Sequence, residues 1–269
     1  MIVASFNILN PYHAVKWQTQ EGLDPDGADN WARHRSARVL DTLRRADFDI
    51  CAIQELSERT RPVLKDEFAE ACFATHWAEE EAGAHGTAIF YNQERLELLN
   101  ARAVRHAIPD SPEGKWRCAA LAELRERSTG LRFRALSVHL KGYNPYEEEI
   151  PEKRRQQQAG DQELASYLAA SLADGEALDG VFIMGDFNED APEFKARGAS
   201  SRQGVLIEAG FQWDAREDVT ESATGRKIDW ILYKPLSAAA PQSLSHQTVE
   251  QDRSASDHAL TASVIASPR

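Results

Sequence analysis

At 269 residues, 42% hydrophobic and 28% charged, the chain has apolar material for one large layered fold or two small domains. Its 43 acidic side chains outnumber 31 basic ones, a formal net charge of -12, which argues against diffuse attraction to nucleic acid or an anionic membrane. A phosphate-bearing substrate would need a local basic patch or a metal ion. No apolar run approaches the length of a membrane span, and Met1 leads into an apolar strand without the features of a removable leader, so a cytoplasmic protein is expected. Cys51, Cys72 and Cys118 are dispersed in apolar surroundings, as core thiols of a reducing compartment would be.

Ile2-Val3-Ala4-Ser5-Phe6-Asn7 reads as a buried strand ending in an amide. Residues 10–30 lack periodicity but carry Tyr12, His13 and Trp17, as suits a cleft wall or a solvated insertion. The spacing of Trp31, Arg35, Val39, Leu40 and Leu43 predicts a helix over 31–46 with Asn30 as its N-cap. Asp49-Ile50-Cys51-Ala52-Ile53-Gln54-Glu55 is a second apolar strand with a polar end. Pro62 interrupts or opens another helix running to about residue 75, and residues 86–91 begin a β-rich middle.

Residues 96–105, 116–127 and 131–140 read as three further strands, the last pair joined by a hairpin at Ser128-Thr129-Gly130. A polar loop with Glu147-Glu148-Glu149 leads to a helix over 152–173, whose buried stripe is Leu164, Leu168 and Leu172. Val181-Phe182-Ile183-Met184 then delivers Gly185-Asp186-Phe187-Asn188. A short helical region ends near Gly210, residues 227–232 form another strand, and Ser256-Asp257-His258 precedes the last. No repeat, low-complexity tract or linker divides the chain, so residues 1–269 read as one domain of mixed β and α layers.

The apolar runs share a habit of finishing in polar side chains: Asn7, Glu55, His139, Asp186 with Asn188, Asp229, and Asp257 with His258. Gathered on one edge of stacked sheets, they would make a single cleft. Carboxylate and amide oxygens suit a hard cation, one or two ions of Mg²⁺ or Mn²⁺, better than zinc. Extended chain points Asp186 and Asn188 the same way, and Gly185 lets backbone approach. That geometry suits a hydrolytic centre in which Asp186 orients or deprotonates water while Asn188 holds an oxygen. Two histidines supply proton transfer or charge stabilisation. Arg117 and Lys141 are candidate phosphate contacts.

In chain order, Asn7, Ile53-Gln54-Glu55, Val138-His139-Leu140, Gly185-Asp186-Phe187-Asn188, Ile228-Asp229 and Ser256-Asp257-His258 resemble the endonuclease/exonuclease/phosphatase superfamily, which includes deoxyribonuclease I, exonuclease III and neutral sphingomyelinases. The resemblance implies a four-layer α/β sandwich, two mostly antiparallel β-sheets face to face with helices outside, and metal-dependent attack of water on a phosphoester. It makes Glu55 the main metal ligand, with Asn7 and Asp257 nearby or holding a second ion. Asp186 would then handle the attacking water, Asn188 would hold it or a phosphate oxygen, and His258, oriented by Asp229, would bind the scissile phosphate. His139 would be a second phosphate contact or the leaving-group acid.

Ser5-Phe6-Asn7-Ile8-Leu9 and Trp31-Ala32-Arg33-His34-Arg35 look most like the deadenylase, nocturnin and Angel branch, which acts on RNA ends or nucleotide cofactors. The expected substrate is single-stranded RNA, an RNA end or another nucleotide-like phosphoester, with Tyr12 and Trp31 stacking a base. A phosphatase or lipid phosphodiesterase acting on a small phosphoester is the alternative; from another class, so is a catalytically inactive phosphate-binding module. No obligate protein partner is evident.

Overall fold

The segment Gly180–Asp186 shows how the molecule is layered. It is buried throughout, yet its side chains serve two different cores: Phe182 and Met184 face one, Val181 and Ile183 the other. A strand covered on both faces needs a second sheet on one side and helices on the other. The computed structural model describes residues 1–10, 27–58, 60–75, 85–107, 116–142, 150–173, 177–213, 220, 225–248 and 255–266.

In chain order the elements are β1 (Ile2–Asn7), α1 (Gly27–Ala46), β2 (Ile50–Ser57), α2 (Arg61–Lys65), β3 (Ala69–Thr75), β4 (His85–Tyr91), β5 (Leu96–Ala107), β6 (Trp116–Glu126), β7 (Arg132–His139), α3 (Ile150–Leu172), β8 (Gly180–Asp186), α4 (Ala191–Arg197), α5 (Arg202–Glu208), β9 (Gln212–Trp213), β10 (Asp229–Pro235), β11 (Ser243–Thr248) and β12 (Thr261–Ala266). They form two 6-stranded sheets, ordered β11-β12-β1-β2-β4-β3 and β5-β6-β7-β8-β10-β9. Among the described residues only β1 with β2 and β7 with β8 pair in parallel, and a helix returns the chain in each case. This is the expected α/β sandwich of mostly antiparallel sheets.

Between the sheets pack Val3, Ile50, Ile89, Phe133, Phe182 and Tyr233, with Phe182 stacked on Tyr233 at 4.8 Å between ring centroids. Outside the first sheet, Val39 and Leu43 of α1 cover Phe6, Ile53 and Phe90. Outside the second, Leu164 and Tyr167 of α3 and Leu206 of α5 cover Leu136, Ile183 and Trp230. Polar ties also cross the inner core. Gln54 Nε2 donates to Ser137 Oγ at 3.1 Å, and Thr87 Oγ1 accepts from the Ala120 amide at 3.0 Å. Such buried bonds fix how one sheet sits on the other.

Several local expectations change. Helix α1 opens at Gly27, so Asn30 lies inside it instead of capping it. The helix after Pro62 stops at Lys65, and residues 69–75 form an edge strand paired with β4. That stretch, Ala-Glu-Ala-Cys-Phe-Ala-Thr, is poor in β-branched residues, so pairing rather than propensity decides it. Leu172 is 38% exposed, and Tyr167 takes its place in the buried stripe. None of the three cysteines is in a disulfide, and burial pushes the Cys118 thiol up to about 11. Among the described residues, no helix is long and apolar enough to cross a membrane.

Candidate active site

Strand direction gathers the polar ends. Because β1 and β2 are parallel, Asn7 and Glu55 leave the first sheet at one edge, with Asn7 in register with Gln54. In the second sheet, His139 and Asp229 both align with Asp186, the first across a parallel pair and the second across an antiparallel one. β12 runs antiparallel to β1, so the Ser256-Asp257-His258 segment entering it arrives at this same edge. Ser256 Oγ donates to the Asn7 carbonyl at 2.7 Å, and the His258 amide donates to Ser256 Oγ at 3.1 Å, which ties the segment down.

Asp186 is the hub. Its Oδ2 accepts from Asn7 Nδ2 at 3.1 Å and lies 3.7 Å from His139 Nε2 and 4.0 Å from His258 Nε2. Its Oδ1 accepts from the Asn188 amide at 2.8 Å. Gly185 has φ 145°, and a β-carbon there would collide with the Val138 carbonyl, so the close approach of β7 to β8 requires glycine. Asn188, with φ 50°, takes the left-handed turn that asparagine tolerates, and its Nδ2 donates to the Leu140 carbonyl at 3.0 Å.

Glu55 reaches the cleft through a bulge. The register of β2 with β4 shifts between Ile53 and Leu56, and Glu55 itself has φ 59°. The extra residue lets Gln54 turn inward to Ser137 while Glu55 turns to the edge. Its Oε1 accepts from Asn7 Nδ2 at 3.3 Å and its Oε2 from the Asn10 amide at 2.7 Å. Asn7 therefore bridges the carboxylates of Glu55 and Asp186 as a donor, and its oxygen accepts from the Leu9 amide at 3.0 Å. In this arrangement its amide ties the two carboxylates together.

The two histidines beside Asp186 titrate in opposite directions. Burial, reinforced by Arg117, His85 and His258, holds His139 well below the usual imidazole range despite Glu55, so it is neutral near pH 7. Burial also works against a charged His258. There Asp229 prevails, with Nδ1 and Oδ2 at 2.8 Å and further support from Asp257 and Asp186, so the ring stays an imidazolium well above its usual range. Burial first, and then the charge of Asp229, push Asp186 up to about 7. Arg35 is lowered to about 9 by burial, which Glu55 and Asp257 oppose.

A hard cation fits this donor set. Carboxylates crowd together, one is pushed toward neutrality by burial and then by its neighbour's charge, and Oδ1 of Asp229 has no hydrogen-bond partner among the described residues. Oxygens of Asp186 and Asp229 and a nitrogen of His258 lie within 4.8 Å of one another. Asp229 Oδ2 and His258 Nδ1 are already spent on each other at 2.8 Å.

The candidate substrate contacts fare unevenly. Arg117 is buried and its Nε meets both oxygens of Glu163 at 3.0 Å, while its guanidinium also donates to the His139 carbonyl; its charge is committed to the scaffold. Lys141 is exposed beside the site, and its amide is held by Glu163 Oε2 at 2.8 Å. Trp31 lies in α1, but its side chain, like all of Tyr12, is outside the described residues. Three groups near the site were given no site role by the sequence reading. His85 opens β4, its ring 6.1 Å from that of His139. Thr220 Oγ1 accepts from the Asp229 amide at 3.0 Å. Arg35 donates to the carbonyls of Ala255 and Leu9, behind the site. The polar opening of β4 was a usable signal only once its antiparallel pairing with β2 was known.

A profile of the endonuclease/exonuclease/phosphatase family matches residues 4–258. No curated protein matches the chain in sequence. Among solved structures, the human nocturnin catalytic domain with a bound sulfate anion is 19% identical, with TM-score 0.65 over 99% of this chain and 94% of that one. D. rerio TDP2 in complex with a single-strand DNA product is 15% identical, TM-score 0.62, over 98% and 97%. A Bacteroides thetaiotaomicron mannosyl-6-phosphatase is 15% identical, TM-score 0.62, over 99% of each. With one edge of an α/β sandwich bearing the acidic and histidine set, and a family profile spanning nearly all of it, the chain belongs to the endonuclease/exonuclease/phosphatase family.

Proposed function

We propose that this protein is a Mg²⁺- or Mn²⁺-dependent phosphodiesterase that hydrolyses RNA, RNA ends or another nucleotide-containing substrate by in-line attack of water. The observation that carries the proposal is the convergence on Asp186, whose Oδ2 faces Asn7 at 3.1 Å, His139 at 3.7 Å and His258 at 4.0 Å. A carboxyl titrating near neutrality suits a general base, so Asp186 takes the proton of the attacking water. Asn188, anchored on Leu140, holds the water or a phosphate oxygen beside it. The His258 imidazolium, oriented by Asp229, binds the scissile phosphate and steadies its growing charge. Neutral His139 contacts a second phosphate oxygen or the leaving group. Glu55 and Asp257 would hold the ion, which supplies Lewis-acid polarisation of the phosphate and a more acidic water.

The similarity to TDP2 in complex with a single-strand DNA product supports a nucleotide-containing substrate. The mannosyl-6-phosphatase match and the net charge of -12 support a second reading, a phosphatase for a small phosphoester. The test is a panel of labelled RNA, single-stranded DNA, cyclic-phosphate ends, dinucleotides and phosphosugars with Mn²⁺. Turnover of the nucleotide substrates, lost in Asp186→Ala, supports the proposal. Turnover of phosphosugars alone favours the second reading, full activity in excess chelator removes the metal, and no turnover at all indicates a phosphate-binding module. A cytoplasmic setting belongs to the same proposal, on the strength of three cysteines that stay out of disulfides.

A further inference from the structure

Behind the cleft, α5 opens with a buried arginine that takes no part in the proposed chemistry. Arg202 is 2% exposed, and its guanidinium is surrounded mainly by main-chain carbonyl oxygens. It donates to Phe187, between Asp186 and Asn188; to Lys141 at 2.9 Å, just past His139; and to Gln157 of α3 at 3.4 Å. Its Nε meets Asp161 at 3.2 Å, and its amide donates to Glu189 Oε2 at 2.6 Å. Arg197 closes the network by bonding Asp161 and Glu189. Helix α3 makes room with Gly160, where a β-carbon would strike the guanidinium and come within 2.7 Å of the Lys141 carbonyl.

The two strand exits touched by Arg202 are the ones whose mutual placement sets the site. Leu140 donates its amide to the Asp186 carbonyl at 2.9 Å, and Asn188 Nδ2 returns a bond to the Leu140 carbonyl at 3.0 Å. Arg202 grips the next carbonyl along each exit. A planar fork can span two carbonyls at once, whereas an ammonium is a point donor. Burying a guanidinium is unfavourable unless every donor is matched, and a lone apolar side chain would fill the space more simply. We propose that Arg202 is a positioning residue for the hydrolytic centre, locking the β7 exit to the β8 exit so that His139, Asp186 and Asn188 keep one geometry.

This rests on the proposed phosphodiesterase reading, but it has a readout that needs no substrate. In the metal-free protein, Arg202→Met is expected to speed amide exchange at Leu140 and Asn188 by about tenfold or more, while Ala52 and Ile53 of β2 stay protected. With Mn²⁺ and a substrate the wild type turns over, kcat falls about 10- to 100-fold with KM within about threefold, and Arg202→Lys recovers only part of it. Gly160→Ala, which displaces the guanidinium without removing it, reproduces both effects and replaces Arg202→Met should that variant not fold. A folded variant with wild-type exchange at Leu140 and Asn188, or exchange raised equally across both sheets, overturns the inference. If the wild type turns over nothing on the panel, the phosphodiesterase reading fails while the exchange result still decides the positioning role.

Discussion

Replacing Asp186 by Asn should make the metal-free protein more stable at alkaline pH while abolishing turnover. The folded carboxyl is pushed from an ordinary 3.8 up to about 7, by burial and by Asp229, so it keeps its proton after the unfolded chain has lost it. Between pH 4 and 7 the unfolded state therefore binds fewer protons than the native one, and wild-type stability falls as pH rises, by roughly 4 kcal/mol once pH exceeds 7. An asparagine has nothing to ionise and escapes that loss. It does set an NH₂ against Asn7 Nδ2, now 3.1 Å from Asp186 Oδ2, at about 1–2 kcal/mol. The net gain at pH 8 is then about 2–3 kcal/mol, or about 4–6 °C in melting temperature for a chain of this size. At pH 4 the gain disappears and the variant melts slightly below wild type. Thermal melts in excess chelator across pH 4–9 check this. A difference between variant and wild type that does not grow from pH 4 to 7 refutes the assignment of a strained buried charge to Asp186.

Asp229→Asn removes the carboxylate that keeps His258 charged against burial, so the alkaline limb of the pH–kcat/KM profile should move to lower pH by at least about one unit; an unmoved limb would mean that His258 does not act as an imidazolium. Gly185→Ala, at φ 145° and against the Val138 carbonyl, should cost at least about 3 kcal/mol in urea melts, and a loss under about 1 kcal/mol would show that β7 and β8 can part without penalty.

Most of the site was legible because its residues sit where buried strands end. An apolar run such as Val181 to Met184 can be read from sequence, and the polar side chain that follows must then leave the core. The chain order of these ends was enough to expect one cleft. Hidden were the groups whose role depends on tertiary direction. His85 stands at the start of its strand, and only the antiparallel pairing of β4 with β2 brings a strand start to the edge where others finish. Arg117 was expected as a phosphate contact, yet Glu163, far along the chain, claims it. Arg202 has no periodic or motif signature at all, because its partners are carbonyls, which every residue possesses. Asn7 was placed correctly at the edge, but which end of its amide faces the carboxylates depends on the Leu9 amide and the turn beyond the strand.

The hydrogen bond from Ser256 to the Asn7 carbonyl joins residues 249 apart in the chain. Asn7 and Asp186, in contact within the cleft, are separated by 179. Such contacts require closing very long loops, which collapsed chains achieve late. On refolding, helical and sheet signals should therefore return before catalytic competence does, and a nascent chain should remain inert until its final strand has closed against its first.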